Sequence, residues 1–559
     1  MAVLNVPEEL NLAAAHEAVA AAVPDRECLV WRDRRLTWAE VTDRTRRLAA
    51  VLAEAGLGVH RALADCEPWE SPHDHVALYL HNGNEYLEGM LGAAKARAAA
   101  VNVNYRYVAE ELRYVLADSG ARAILFHSAF APTLAAVRDD LPQLELLLQV
   151  DDGSGEALLP GARWYEDALA AAAPLEPAGL SPDDLYILYT GGTTGRPKGV
   201  LWRQADFLAA CLGLAKTTDE LVTAAPRSRL RVLAAPPFMH GAAHWNVLSA
   251  WLAGGTVVIQ DDPVRLDPRD LLDTVARERV SSLLIVGDAF ARPLVDELRS
   301  GSRDLTGLRF LMTGGAVLSA SVKAELLELL PDVRIVDVLG SSETGRQGVH
   351  KADRATGATT GRFDPSPTSA VVSEDRTRIL SPGDQELGWL TQTGRVPLGY
   401  LGDPEKTQAT FPVIDGRRHA VPGDRARVLA DGSIELHGRD SVTINTGGEK
   451  VFAEEVEVGV KAHPAVFDCL VVGRPSERWG QEVVAVCQAR PGVDRPSDDE
   501  LRATCRAHLA GYKVPKAFIW VERVERSPSG KPDYRWAAAR ALASDRGRAA
   551  HLAPAGGPP

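Results

Sequence analysis

The sequence has no Cys-x-x-Cys pair: its six cysteines, Cys28, Cys66, Cys211, Cys469, Cys487 and Cys505, are scattered along 559 residues. That spacing supports neither a disulfide framework nor a zinc site, and it fits a reduced, cytoplasmic compartment. No window approaches the roughly 20 apolar residues of a membrane span. The N-terminus lacks the charged and apolar stretches of a signal peptide. Positive charge is not in excess either. Lys and Arg number 62 against 75 Asp and Glu, and a net charge of -13 argues against nucleic acid as the main partner. An anionic small molecule is not excluded, because it senses only local charge. Aromatic residues are sparse at 6%, but 45% hydrophobic and 25% charged residues are ordinary for a globular protein. A chain of this length exceeds one hydrophobic core, so two or more domains are expected. There are no internal repeats.

The most distinctive stretch is Leu185–Val200, LYILYTGGTTGRPKGV. Its apolar start, Leu185 to Tyr189, predicts a buried parallel strand. The loop that follows carries Gly191, Gly192, Gly195 and Gly199 among Thr190, Thr193, Thr194 and Lys198. Glycines allow tight turns that expose consecutive N–H groups, hydroxyls add donors, and the lysine adds a point charge. Such a loop is equipped to hold a polyphosphate. It is not the Walker pattern, since no Gly-Lys-Ser/Thr step opens a helix. A flexible surface loop is the plain alternative, and this combination directly after an apolar strand weighs against it.

Upstream, strand and helix patterns alternate, which predicts a parallel sheet covered by helices. A helix runs from Leu36 through Leu52, a strand over Val76–Leu80, a helix over Glu85–Arg97 and a strand over Ala100–Asn104. Residues 60–75 read as an exposed loop whose His73 and His75 are solvated rather than metal-bound. Downstream, a helix is expected over Trp202–Ala215 and a loop over Thr217–Arg229. Short strands follow at Val232–Ala235, Thr256–Ile259, Ser282–Val286, Leu308–Met312 and Val333–Val338. Three of them end in small polar turns: Gly287 and Asp288, Thr313 to Ala316, and Gly340 to Gly345. Open α/β sheets bind ligands beyond the carboxyl ends of their strands, so these turns converge on one crevice.

From about Gly361, tight turns imply a β-rich subdomain. At Gly438 to Ser441 the chain enters an α+β module. A helix is expected over Val451–Lys461, strands over Val466–Val472, Glu482–Ala489 and Ala517–Val524, and a helix over Asp498–Leu509, with Lys531 in a loop. The expected organisation is an α/β protein. A large N-terminal domain, 1–437, holds stacked α/β subdomains plus the β-rich one. A hinge at 438–441 leads to a small mobile α+β domain at 442–545 and a disordered tail at 546–559.

In this order the turns resemble the adenylate-forming superfamily, which includes acyl-CoA synthetases, luciferases and peptide-synthetase adenylation domains. Tyr189 to Gly199 matches its phosphate loop, and Pro236 to Gly241 the segment with a gating His or aromatic. Gly340 to Glu343 matches a Gly-x-Thr-Glu turn and Gly423-Asp424 the ribose-binding Asp. Gly438-Arg439 matches the hinge and Gly530-Lys531 the C-terminal lysine. Any one alone is weak; six in family order, from about Leu36 to Trp536, are not coincidence. Leu201 to Gln204, Pro236 to Trp245, Ile444 to Lys450 and Lys531 to Trp536 look further like an actinobacterial branch. That branch activates long-chain fatty acids and steroid side-chain carboxylates.

The resemblance implies an ATP- and Mg²⁺-dependent acyl-CoA synthetase whose partners are a small apolar carboxylic acid, ATP and CoA. Attack of the carboxylate on the α-phosphate makes an acyl-adenylate, and the CoA thiol then displaces AMP. The first step gathers negative charge and calls for preorganised cations and N–H donors. By resemblance, Thr190, Gly191, Gly192, Thr193, Thr194, Gly195 and Lys198 surround the β- and γ-phosphates. Gly315 and Ala316 admit the adenine, which rests on Leu339. Gly340 and Ser341 belong to the same nucleotide-binding set, Ser342 bonds phosphate, and Glu343 holds Mg²⁺, a hard cation that takes oxygen ligands. Asp424 accepts from the ribose hydroxyls, Arg439 meets ribose or phosphate, and Lys531 bridges the carboxylate and α-phosphate. For the second step the small domain rotates at the hinge, bringing Gly447, Gly448 and Lys450 to the site and removing Lys531. His240 opens or closes the pantetheine tunnel. His244, Trp245, Gly287, Asp288 and Phe290 are candidates for the acyl wall.

The sequence departs from the family at Leu339, where an aromatic is usual, and at Ser342, which keeps the hydroxyl of the usual Thr. Ser441 stands at the usual hinge position with Asp440 one residue early, and Val421-Pro422 replaces Arg-Thr. Plainer roles exist for single residues: a helix cap for Ser341 or Ser342, a β-turn Asp424, a core His240, a hairpin around Gly447. Two rival functions remain. One is an adenylating enzyme that loads a carrier-protein thiol, for which Arg502, Arg506, Lys513 and Lys516 would form a basic docking patch. The other is a catalytically silent relative, against which Lys531 and Glu343 both stand. Acyl chain length and oligomeric state, a homodimer among the options, are left open.

Overall fold

The strands Thr256–Ile259, Arg231–Ala234, Ser282–Ile285, Phe310–Gly314 and Arg334–Ser341 lie side by side in that order, all parallel. The structure, a computed structural model, describes residues 9–190, 196–214, 216–446, 449–476, 479–528 and 530–552, with only the backbone of Ser441, Lys450 and 545–552. A second parallel sheet holds Ala99–Asn102, His75–Tyr79, Ala123–His127 and Leu146–Val150. Helices Leu12–Ala22, Trp38–Glu54, Asn84–Lys95 and Gly241–Leu252 contribute to one apolar core with strands of both sheets. Central strands such as Val232-Leu233 and Leu283-Leu284 are buried on both faces, hence their unbroken apolar runs. Antiparallel strands Arg362–Pro365, Ser369–Val372, Gly388–Thr393, Asp424–Val428 and Ile434–Arg439 form the β-rich part. The small domain pairs Val466–Ser476 with Gly480–Ala489 and covers that hairpin with helices Ala453–Lys461 and Tyr534–Leu552. The α/β architecture with a smaller C-terminal domain is as expected.

Several local expectations are corrected. Strand Leu185–Thr190 is antiparallel, not parallel: its partner is Lys198–Arg203. The helix expected from Trp202 starts only at Gln204 and ends at Ala210. Val200, Leu201 and Trp202 are fully buried, and an apolar run of that length does not distinguish strand from helix by periodicity. Thr217–Arg229 contains a helix, Thr218–Ala224, nucleated by a Thr217/Glu220 capping box. A similar box, Thr37 with Glu40, starts the first long helix at Trp38 rather than Leu36. The helix Tyr534–Leu552 runs through the first residues expected as tail.

His73, Asp74 and His75 are not solvated but buried. His73 Nδ1 donates to the Arg97 carbonyl at 2.8 Å while its Nε2 accepts from Leu185 N–H. His75 Nδ1 donates to the Ser119 carbonyl and its Nε2 accepts from Ser71 Oγ at 2.8 Å. Each ring satisfies both nitrogens as a neutral joint between segments, and burial first of all holds both pKa values below the ordinary histidine value. Among the described residues no cluster of three or more His, Cys, Asp or Glu could hold a metal, and no helix is long and apolar enough to cross a membrane.

Candidate active site

The carboxyl ends of the large parallel sheet carry the turns around one cleft. Residues 191–195 lie outside the described residues, so Gly191, Gly192, Thr193, Thr194 and Gly195 are known only by where their neighbours are held. Asn102, at the end of its strand, clamps the entrance: its Oδ1 accepts from Tyr189 N–H at 2.7 Å. Its Nδ2 donates to the carbonyls of Tyr189 and Met239, both at 2.8 Å. One side chain thereby ties the phosphate-loop strand to the turn that ends in His240. Tyr189 Oη donates to Asp118 at 2.6 Å, and Tyr114 Oη holds the Pro197 carbonyl at 3.1 Å on the exit side. Thr190 pairs with Lys198 across the hairpin. The Lys198 ammonium is ion-paired with Asp403, which also caps the helix Pro404–Thr410.

Gly340 to Glu343 is a hairpin between Arg334–Ser341 and Gly345–Ala352, not a helix cap. Ser341 Oγ accepts from Glu343 N–H at 3.2 Å, and Trp202 Nε1 donates to the Ser342 carbonyl at 2.9 Å. A Cβ on Gly340 would meet the Gly345 carbonyl, so this position has no room for a side chain. Glu343 Oε1 accepts from Tyr400 Oη at 2.9 Å, which fixes the carboxylate. Leu339 packs partly against Val371, Leu390 and Ala426 of the β-rich part.

Asp424 and Arg439 face each other across paired strands, Arg439 Nε donating to Asp424 Oδ1 at 3.1 Å. The attraction of Asp424 comes first in raising the arginine's pKa, and Glu343 adds to it. Lys531 enters from the small domain. Its Cε lies 3.8 Å from where a Gly315 Cβ would be, and Gly315 has φ +79°, a backbone that glycine adopts without strain. Crowding by the surrounding protein, then repulsion from Arg439, lowers the Lys531 pKa, while Glu343 opposes the shift. The side chain still meets solvent, as expected of a group lining an open cleft. Lys531, Arg439 and Glu343 therefore share one electrostatic site drawn from both domains.

The AMP-binding enzyme family model matches residues 16–400, and the AMP-binding enzyme C-terminal domain matches 455–531. The chain belongs to the AMP-binding enzyme family. It is 50% identical over 538 residues to the medium-chain acyl-CoA ligase Mig of Mycobacterium avium, covering 94% of this chain and 97% of that one. It is 41% identical over 546 residues to the medium/long-chain-fatty-acid–CoA/3-oxocholest-4-en-26-oate–CoA ligase of Mycobacterium tuberculosis, covering 94% and 95%. Among solved structures, the anthranilate CoA ligase AuaEII in complex with anthranoyl-AMP superposes with a TM-score of 0.81 at 23% identity, over 98% of this chain and all 100% of that one. That likeness concerns fold. The protein is an enzyme of the acid–thiol ligase class, an AMP-forming acyl-CoA ligase.

At the apolar end of this ligase's cleft, His240 borders the first turn of helix Gly241–Leu252. Its Nε2 is buried without a protein partner, and burial followed by Lys531 pushes its pKa down to about 3. The ring is neutral at physiological pH. His244 donates from Nδ1 to the Phe238 carbonyl at 2.7 Å and accepts from Tyr186 Oη at Nε2. Trp245 Nε1 donates to the same hydroxyl at 2.8 Å. A Cβ on Gly241 would touch the Trp245 indole and Leu188 at 3.0–3.1 Å, so the tryptophan lies along the helix start. Gly287 (φ +55°) sits against Ala316 and Val317, and Phe290 is buried beside Gly530. Asp288 turns elsewhere: its Oδ1 accepts from Ser319 N–H at 2.7 Å, and its other oxygen meets Lys461 of the small domain at 3.2 Å. Gly447 and Gly448 lie outside the described residues, and of Lys450 only the backbone strand is described.

Sequence reasoning did not single out Asn102, Tyr186, Tyr400, Asp403 or Lys461. Asn102 lies in the middle of the predicted strand Ala100–Asn104, where an asparagine is out of keeping with β propensity, a signal that could have found it. Tyr400 and Asp403 had none, since their roles arise from pairing between Gly399-Tyr400 and the Lys198–Arg203 strand.

Proposed function

We propose that this enzyme activates an apolar aliphatic carboxylic acid, a medium- to long-chain fatty acid or a steroid side-chain acid, and transfers it to CoA in the cytoplasm. The observation that carries the proposal is Lys531 of the small domain in the electrostatic field of Arg439 at the hinge and Glu343 of the large domain. A substrate carboxylate oxygen attacks the α-phosphorus of ATP, the bond to pyrophosphate breaks, and charge builds on the phosphoryl oxygens. Lys531 donates N–H bonds to that charge as it develops. Asp424 accepts from the ribose hydroxyls, and Arg439 lies between ribose and phosphate. Thr190, Lys198 and residues 191–195 hold the outer phosphates once Lys198 exchanges Asp403 for phosphate.

Glu343 fits Mg²⁺: its carboxylate is fixed by Tyr400, and as a single oxygen ligand it suits a metal that arrives with the nucleotide. When bound, Mg²⁺ neutralises phosphate charge. In the second step the CoA sulfur attacks the acyl carbonyl, AMP leaves with the bonding pair, and the thiol proton passes to solvent. Rotation at residues 438–441, which join domain 1–437 to domain 442–545, withdraws Lys531 and presents Gly447, Gly448 and Lys450. His240, neutral, borders the tunnel mouth. His244, Trp245, Gly287 and Phe290 wall the acyl site, while Asp288 is assigned to the domain seam.

A carrier-protein acceptor is disfavoured by the state of its supposed docking patch. Arg502 is paired with Asp499 at 3.0 Å and Asp498 at 3.3 Å, and Lys513 with Glu455 at 2.6 Å. Two of the four cations of that patch are thereby already neutralised. Lys531→Ala tests the two-step scheme. Adenylate formation should fall roughly 10²–10³-fold, the scale of a lost preorganised donor. Thioester formation from pre-made acyl-adenylate should be spared, and loss of both steps contradicts the scheme.

A further inference from the structure

The first turn of helix Gly287–Ser300 is the landing place of the small domain. On one side it receives the Lys531 loop: a Cβ on Gly530 would lie 3.1 Å from the Phe290 ring and 3.2 Å from the Val286 carbonyl. On the other side it receives Lys461, the last residue of helix Ala453–Lys461, whose ammonium is 3.2 Å from Asp288 Oδ2. The two side chains are 4% and 3% exposed. Asp288 is held on its own domain by Ser319 N–H at 2.7 Å, with Arg292 at 3.6 Å. A buried charge that loses a partner is disfavoured, and on Asp288 Oδ2 Lys461 is the nearer of two cations, Arg292 being the longer contact that stays on the same domain.

Among the described residues the surrounding seam holds no second buried ion pair. A cavity of about 790 Å³ separates the domains here, lined by Arg292, Arg299, Lys461, Pro464, Arg490 and Arg495. A second ion pair across the seam, Arg490–Asp296 at 3.4 Å, has side chains 28% and 48% exposed and is of the kind that contributes little. Away from the hinge, the buried Lys461–Asp288 contact lies within one turn of where the Lys531 loop meets Phe290.

We propose that Lys461 and Asp288 form a latch that positions the small domain for adenylate formation. Resting on the two-step reading above, the latch closes to put Lys531 in the cleft and opens when the small domain rotates for CoA transfer. Rotation carries both charges into water, where each is solvated separately and the pair is no longer required. Lys461 and Asp288 are thus positioning residues that touch neither substrate nor nucleotide.

The test compares Lys461→Met, Asp288→Asn, their double variant and Lys461→Arg. Pyrophosphate release with ATP and dodecanoic acid reports the first step; thioester formation from supplied dodecanoyl-adenylate and CoA reports the second. Each single variant should slow the first step about tenfold or more and leave the second within about twofold. The double variant should be no worse than either single, and Lys461→Arg should retain most of the wild-type rate. Amide hydrogen exchange of the free protein at residues 288–292 and 530–534 should quicken in Lys461→Met and Asp288→Asn. Equal loss in both steps, multiplied losses in the double variant, or unchanged exchange in both single variants overturns the latch. A wild type that releases no pyrophosphate with any acid refutes the functional reading instead, and the exchange data still decide the latch.

Discussion

Glu454, on the first turn of the small domain's opening helix, lies against the hinge. A Cβ on Gly438, whose φ is +128°, would strike its Oε2, and that oxygen is buried without a hydrogen-bond partner. Burial first, then repulsion from Glu457, pushes the Glu454 pKa from 4.5 up to about 8. Between those two values the folded protein keeps a proton that the unfolded chain has released, so stability falls as pH rises across that window. One pKa unit corresponds to 1.36 kcal/mol, which makes the penalty about 3 kcal/mol at pH 7 and about 5 kcal/mol at pH 9. Glu454→Gln keeps the shape and removes the titration, at a cost of roughly 1–2 kcal/mol for an amide N–H₂ left unpaired. The variant should therefore be more stable than wild type by about 2 kcal/mol at pH 7 and about 3 kcal/mol at pH 9. Below pH 4.5 the order should reverse. Urea unfolding followed by tryptophan fluorescence at pH 4, 7 and 9 gives the three differences. Parallel pH dependences of variant and wild type would refute the buried-carboxyl reasoning.

Asp424→Ala should raise the KM for ATP at least tenfold, with the rate from pre-made adenylate less affected; unchanged ATP affinity removes Asp424 from the ribose site. Trp245→Ala should shift preference toward longer or bulkier acids. Each further buried methylene is worth about 0.8 kcal/mol, up to roughly fourfold in kcat/KM, and an unaltered chain-length profile would take Trp245 off the acyl wall.

The fold was largely legible because the strands that carry the turns are short apolar runs bounded by glycine, and each turn sits where such a run stops. Trp202 shows where this fails. A buried Val-Leu-Trp run has no periodicity to report, so Trp202 and Arg203, the end of the hairpin's second strand, read as the start of a helix. His73 and His75 show a second failure: two histidines in a polar segment look solvated, and only the packing of Arg97 and Ser119 carbonyls over them makes them internal joints. Asp424, Arg439 and Lys531 were named from motif order, and the structure brings Arg439, Glu343 and Lys531 within each other's field. Asp288 was found for the wrong neighbourhood. Its partner, Lys461, lies 173 positions away on another domain, and no local pattern encodes that meeting.

The most direct test of the central claim is incubation of the purified enzyme with ATP, Mg²⁺, CoA and a panel of acids, with AMP and thioester measured together. The panel runs from short to long fatty acids and includes steroid side-chain acids. The account predicts equimolar AMP and CoA thioester with apolar acids of medium or greater length. Acyl-adenylate that accumulates without thioester, or no turnover of any acid, would contradict it.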